Sequence, residues 1–221
     1  FRIVKSGRLH GQVLRRLDRV KESIESFTNV FNIAVRHLSD HQILEEYKFL
    51  LNGLAISYTF YANYDRALEY HFKALLLKEK EGDKKGMSVT LNNIGLVYYK
   101  LENFVQALEY YEKSLVLKRE IDYSFDLDML LINIGLCYNQ MHDFDKAEEM
   151  FESAFETCGL NCSEHNKLEG EFGLGITNFW QGKSAEALLH FRNSREIALK
   201  INDKRFQAEN LLYLGKIYFS V

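Results

Sequence analysis

The chain has 221 residues, 47% of them hydrophobic and 27% charged, with a formal net charge of −3. That balance suits a body that buries a core, and it gives no global attraction to nucleic acid or anionic lipid. Proline is absent, where average usage of roughly 5% predicts about eleven, so long helices joined by short turns are expected.

Residues 1–20 are locally basic, with Arg2, Lys5, Arg8, Arg15, Arg16 and Arg19, and residues 1–40 form the N-terminal segment ahead of the repeats. They read as a degenerate helical pair, spanning about residues 8–39, that caps a repeat array. Phe31 and Ala34 fall 80 residues before Tyr111 and Ser114, whereas Arg15 and Asp18 stand where later segments carry glycine and tyrosine. Without aromatic interleaving the arginines read as a solvated face, and no nucleic-acid contact is expected of this chain.

From His41 onward one pattern recurs every 40 residues. A small residue returns at Ala55, Gly95, Gly135, Gly175 and Gly215, and a second at Ala67, Ala107, Ala147 and Ala187. In the first repeat (41–83), Leu51, Leu54, Ala55 and Tyr58 make one apolar helical face, and the spacing i, i+3, i+4, i+7 is that of an amphipathic helix. Ala62-Asn63-Tyr64-Asp65 is the turn, a second helix comes next, and Gly82 is a C-cap signal. The second (84–123) and third (124–163) repeats reproduce this with Tyr98 and Tyr111, then Tyr138 and Phe151. In the fourth (164–203), Asn178 replaces the tyrosine and Phe191 restores the register; a fifth (204–221) stops after its first helix. The expected fold is all-α, a right-handed α-solenoid of antiparallel helix pairs with a cap and four and a half repeats.

The pattern L-x2-[LI]-[GA]-x2-Y…A-x3-[FY]-x2-[AS] resembles the tetratricopeptide repeat and covers residues 41–221. The usual period is 34, and the usual proline late in the second helix is missing, so the likeness is to the long-period branch. That branch includes cell-polarity adaptors, bacterial signalling regulators and Gram-positive pheromone-binding regulators. The resemblance implies a protein- or peptide-binding scaffold in which the first helix of each pair lines a groove. The residues so placed are Phe49, Asn52, Ile56, Thr59 and Phe60, then Asn92, Asn93, Leu96, Tyr99 and Lys100. The third and fourth repeats add Asn133, Leu136, Asn139 and Gln140, then Phe172, Ile176, Phe179 and Trp180. An apolar groove with interspersed amides suits an apolar or amphipathic segment, whose backbone the asparagines can satisfy. Lys100 alone does not complete the basic clamp by which other members grip a terminal carboxylate.

No phosphate loop, nucleophile elbow or HExxH helix occurs, so neither an enzyme nor a cofactor is expected. Cys137 reads as a buried thiol, and Cys158, Cys162 and His165 as a loop with ordinary thiols rather than a metal site. Three unpaired cysteines and the lack of a membrane span point to the cytoplasm. His71 occupies a position that is aromatic in the other repeats and reads as a packing substitute. The chain begins at Phe1 and ends inside a helical pattern, and it reads as the sensory or docking part of a larger signalling protein. Two other functions fit: a regulator that takes a peptide signal, and a module that dimerises through its last helix.

Overall fold

The computed structural model describes residues 1–219; residues 220 and 221, the end of the fifth repeat, lie outside the described residues. The described residues form two compact units, one from Phe1 to Asn103 and one from Phe104 onward. The first unit contains α1 (Arg2–Arg16), α2 (Val20–Ala34), α3 (His41–Phe60), α4 (Tyr64–Glu81) and α5 (Lys84–Lys100). The second contains α6 (Phe104–Glu120), α7 (Leu127–Gln140), α8 (Phe144–Cys158), α9 (Glu164–Trp180), α10 (Ser184–Lys200) and α11 (Lys204–Phe219). The all-α class of stacked helix pairs is as expected. No described helix is long and apolar enough to cross a membrane.

Turn chemistry sets where these helices begin and end. The carboxylate of Asp40 and the amide oxygen of Asn63 accept from the first free N–H groups of α3 and α4. Asp83 and Ser163 do the same for α5 and α9, and each such cap is worth about 1 kcal/mol. The turns inside the pairs share one backbone device. Ala62, Glu102, His142 and Gly182 stand 40 residues apart, and all adopt left-handed φ between 57° and 77°. Gly82 closes α4 in the same conformation, as its sequence signalled.

Small residues allow the helices of a pair to approach. A Cβ added to Gly135 would lie 2.9 Å from the Phe151 ring, and one on Gly175 would lie 2.7 Å from Phe191. Phe151 and Phe191 are fully buried. The N-terminal pair obeys the same rule in a shifted phase. Its glycine is Gly11, whose added Cβ would meet Phe27 at 2.9 Å, and Phe27 is fully buried. Arg15 and Phe31 therefore do not hold the glycine and aromatic registers, as the 40-residue step implied; Gly11 and Phe27 do, four residues earlier. The shift is absorbed after α2, where the 3-10 turn Val35–His37 lengthens the link to α3.

Candidate functional site

In the second unit, the expected groove side chains largely meet other helices. Asn139 is buried, donates to the Gly173 carbonyl at 2.9 Å and accepts from the Thr177 hydroxyl at 2.8 Å, which ties α7 to α9. Phe172, Ile176 and Phe179 pack with Phe191, Leu214 and Ile217, and the Phe172 ring meets Phe191, Phe206 and Tyr213 edge-on. Leu136 lies against the cluster around Phe151. Asn133 is half-buried, Gln140 is exposed, and Trp180 is 55% exposed. The indole nevertheless has neighbours, for it stands edge-on to His142 at 6.3 Å and to Phe179 at 5.4 Å.

In the first unit, the guanidinium of Arg8 covers the Phe49 ring at 4.9 Å and is ion-paired with the buried Glu46. Asn92 is buried, while Asn52 and Tyr99 are half-buried. Six of the expected residues converge. Ile56 and Phe60 near the end of α3, and Asn93, Leu96 and Lys100 on α5, line a cavity of about 400 Å³. Thr59 joins them, with Ala62 and Tyr64 from the turn and His71 from α4.

One substitution in the repeat is particular to this cavity. At the step of Asn93, the first helices of the other full repeats carry Gly53, Asn133 and Gly173. Those glycines press against the preceding pair: an added Cβ would lie 2.8 Å from Phe27 in one case and 2.3 Å from Phe151 in the other. In α4 the aromatic is His71, and α5 carries an asparagine at this step, as α7 does at 133. The imidazole on α4 is smaller than the phenyl or phenol ring at the same step elsewhere, and so fills less of the gap.

The floor of the cavity is polar in an unusual way. His71 is 1% exposed, and its Nδ1 has no hydrogen-bond partner. Burial pulls its pKa down to about 3, with Lys78 adding a smaller push in the same direction. The imidazole is therefore neutral at pH 7, with one ring nitrogen a donor and the other an acceptor. Among the described residues the amide of Asn93 makes no hydrogen bond and the ammonium of Lys100 no ion pair. Thr59 spends its hydroxyl on the Ala55 carbonyl at 2.9 Å. The walls contributed by Ile56, Phe60 and Leu96 are apolar. Sequence reasoning placed His71 in the core but missed its part in the cavity. The available signal was an imidazole at a position that elsewhere holds Tyr111, Phe151 and Phe191.

The cysteines depart from expectation. Cys137 is a buried free thiol, as read, and burial pushes its pKa up to about 12. Cys158 and Cys162 are joined in a disulfide with Cα atoms 4.7 Å apart, because the 3-10 turn Gly159–Asn161 folds the chain back over the end of α8. The Oδ2 of Asp128 lies 4.0 Å from the Cys162 sulfur and accepts from the Asn166 amide at 2.8 Å. These three could face one ion only as thiolates and carboxylate; with the sulfurs bonded to each other, the thiolate ligands are consumed.

Comparison with known proteins agrees with this fold. No curated protein matches the sequence. Among solved structures, the apo form of RapI superposes with a TM-score of 0.84 at 20% identity, over 97% of this chain and 77% of that one. BtubC (BKLC) from P. vanneervenii gives 0.74 at 16% identity, over 90% and 83%. A Rap protein complexed with competence and sporulation factor gives 0.75 at 15% identity, over 96% of this chain and 61% of that one. At these identities the likeness is one of fold. The tetratricopeptide repeat family matches residues 47–120 and again 86–159, together just over half of the chain. With its 40-residue helix pairs and small-on-aromatic crossings, the chain belongs to the tetratricopeptide repeat family.

Proposed function

We propose that this chain is a non-catalytic scaffold that holds an apolar or amphipathic protein segment against its first helices. On this reading it is the sensory or docking part of a larger signalling protein. The observation that carries the proposal is the cavity in the first unit, where six side chains expected from the repeat register meet around an apolar hollow with unspent polar groups. Pockets of a few hundred Å³ with apolar walls and a few convergent polar groups are the usual form of a binding site. A Rap protein, of similar fold, forms a complex with competence and sporulation factor, which supports a peptide ligand here. The proposal includes the cytoplasmic location expected from the sequence, although the Cys158–Cys162 disulfide removes two of the three thiols that argued for it.

The test is selection of displayed peptides on the full chain, followed by binding to the Leu96→Glu and Ile56→Glu variants. Selected peptides should lose at least about tenfold in affinity in both, since each change buries a carboxylate in the hollow. Undiminished binding in both would place the contact elsewhere and refute the proposal.

A second reading has its own observation. The helix α11 exposes Leu211, Leu212 and Phe219, the last at 94%, which favours self-association through that helix. Mass measured across a concentration series tests it, and a constant monomer mass removes it.

A further inference from the structure

The cavity between α3, α4 and α5 carries more information than its volume. Every other aromatic position of this register is filled by a ring that its own repeat packs against: Phe27, Tyr111, Phe151 and Phe191 are all fully buried. At the remaining position stands a histidine, and Asn93 lines the same hollow, at a step that is asparagine again at 133 and glycine at 53 and 173. A phenylalanine at 71 would complete the core. The imidazole instead leaves Nδ1 unpartnered, a desolvation cost with no return inside the chain. Paired with an open hollow, that cost has a use only if something outside the chain meets the polar group.

The chemistry of the hollow narrows what that can be. Ile56, Phe60 and Leu96 offer flat apolar walls for a ring or branched chain. A purely apolar occupant would leave the imidazole and the Asn93 amide as they are. A carboxylate would find its cation in Lys100, which is exposed to water, and no charge to balance it at the buried, neutral ring. A hydroxyl both donates and accepts, so it meets the imidazole in either tautomer and the amide through either of its ends. An aromatic ring with a hydroxyl at its tip satisfies both requirements, and among side chains that is tyrosine.

We infer that the hollow bounded by Ile56, Phe60, His71, Asn93 and Leu96 is a specificity pocket that takes a tyrosine side chain of the bound segment. The inference rests on the peptide-scaffold reading above and names the side chain that anchors the partner. His71 and Asn93 are its polar determinants, and the apolar walls hold the ring.

The experiment uses p-cresol and toluene, which carry the side-chain rings of tyrosine and phenylalanine, titrated into the full chain with methyl and imidazole-nitrogen NMR signals observed. In the unsubstituted protein, p-cresol should shift the Ile56 and Leu96 methyls and the His71 ring nitrogens, and bind about tenfold more tightly than toluene, one neutral hydrogen bond's share. In His71→Phe that ratio should fall to about one. Phenylalanine and tyrosine fill this register elsewhere in the chain, so the variant should fold. In Asn93→Gly, α5 can settle onto α4, and both probes should weaken together. Equal binding of the two probes by the unsubstituted protein, or no shift at Ile56, Leu96 and His71, overturns the assignment. Displayed peptides separate the pocket from the scaffold. If selected peptides tolerate Tyr→Phe and bind His71→Phe unchanged, the tyrosine pocket falls and the scaffold reading stands. If no peptide is selected, the scaffold reading itself fails, and the pocket with it.

Discussion

Replacing His71 with phenylalanine should make the protein more stable, and by an amount that depends on pH. At pH 7 the change removes a buried nitrogen that lacks a partner, worth about 1–3 kcal/mol, while a ring of similar shape keeps the packing. Part of that gain is lost in fitting a slightly larger ring, so we expect about 1–2 kcal/mol. Acid widens the gap. The folded protein holds His71 at about 3, against an ordinary value of 6.5, so between those limits the unfolded chain binds a proton that the folded chain refuses. Stability therefore falls as pH drops below 6.5, at about 1.4 kcal/mol per pH unit for this group, and is fully retained above it. By pH 5 the histidine costs about a further 2 kcal/mol, which the phenylalanine variant escapes. Urea unfolding of both proteins at pH 8, 6 and 5 measures the effect as a midpoint difference at unchanged slope. A difference that stays flat from pH 8 to pH 5, or a variant less stable at every pH, would refute the picture of a buried, unpartnered imidazole.

Three further results are expected. Gly173→Ala should destabilise by about 1–3 kcal/mol because its methyl lands on the Phe151 ring. Gly215→Ala, with nothing within 4 Å, should stabilise by about 1 kcal/mol through helix propensity alone; thermal melts that fail to separate the two variants would contradict the crossing geometry. Asn139→Ala should cost about 1–3 kcal/mol, since the Gly173 carbonyl and Thr177 hydroxyl lose a buried partner; hydrogen exchange should show α9 loosening, and an unchanged α9 would speak against the tie. Thiol titration should find no reactive cysteine in the native, unreduced protein, one after unfolding and three after reduction, because Cys137 is buried and the other two are paired. Three reactive thiols without reduction would mean the disulfide does not form.

The repeat was legible because it is written twice over, in small residues and in the aromatics they press against. Gly135 with Phe151 and Gly175 with Phe191 stand 16 residues apart in sequence and touch in the fold. The first pair escaped that reading for a mechanical reason. Gly11 and Phe27 keep the 16-residue spacing, but the extra turn after α2 moves them out of the 40-residue step. The second-unit groove was less readable because a half-exposed helix face looks the same whether it waits for a ligand or meets the next helix. Asn139 finds its partners 34 and 38 residues away, and nothing beside it in sequence announces them. The hollow over His71 had a different kind of signature, visible only as a departure from the pattern at one step. Pairing of Cys158 with Cys162 depended on a tight turn that the loop between them did not advertise.

Lys78 bears on where such a protein can be cut. It lies near the end of α4, yet its ammonium donates to the Gly86 carbonyl at 3.0 Å and the Thr90 hydroxyl at 2.6 Å, both in the next helix. Lys118, 40 residues on and buried, likewise reaches forward to the Phe125 carbonyl. Each pair is thus fastened by residues that the sequence pattern assigns to its successor. A truncation made at Gly82, where the repeat alphabet ends, strips Lys78 of both acceptors and frays the end it meant to preserve. One made two turns later, beyond Thr90, carries the clasp along, so the working boundaries of these blocks run out of step with the boundaries in their spelling.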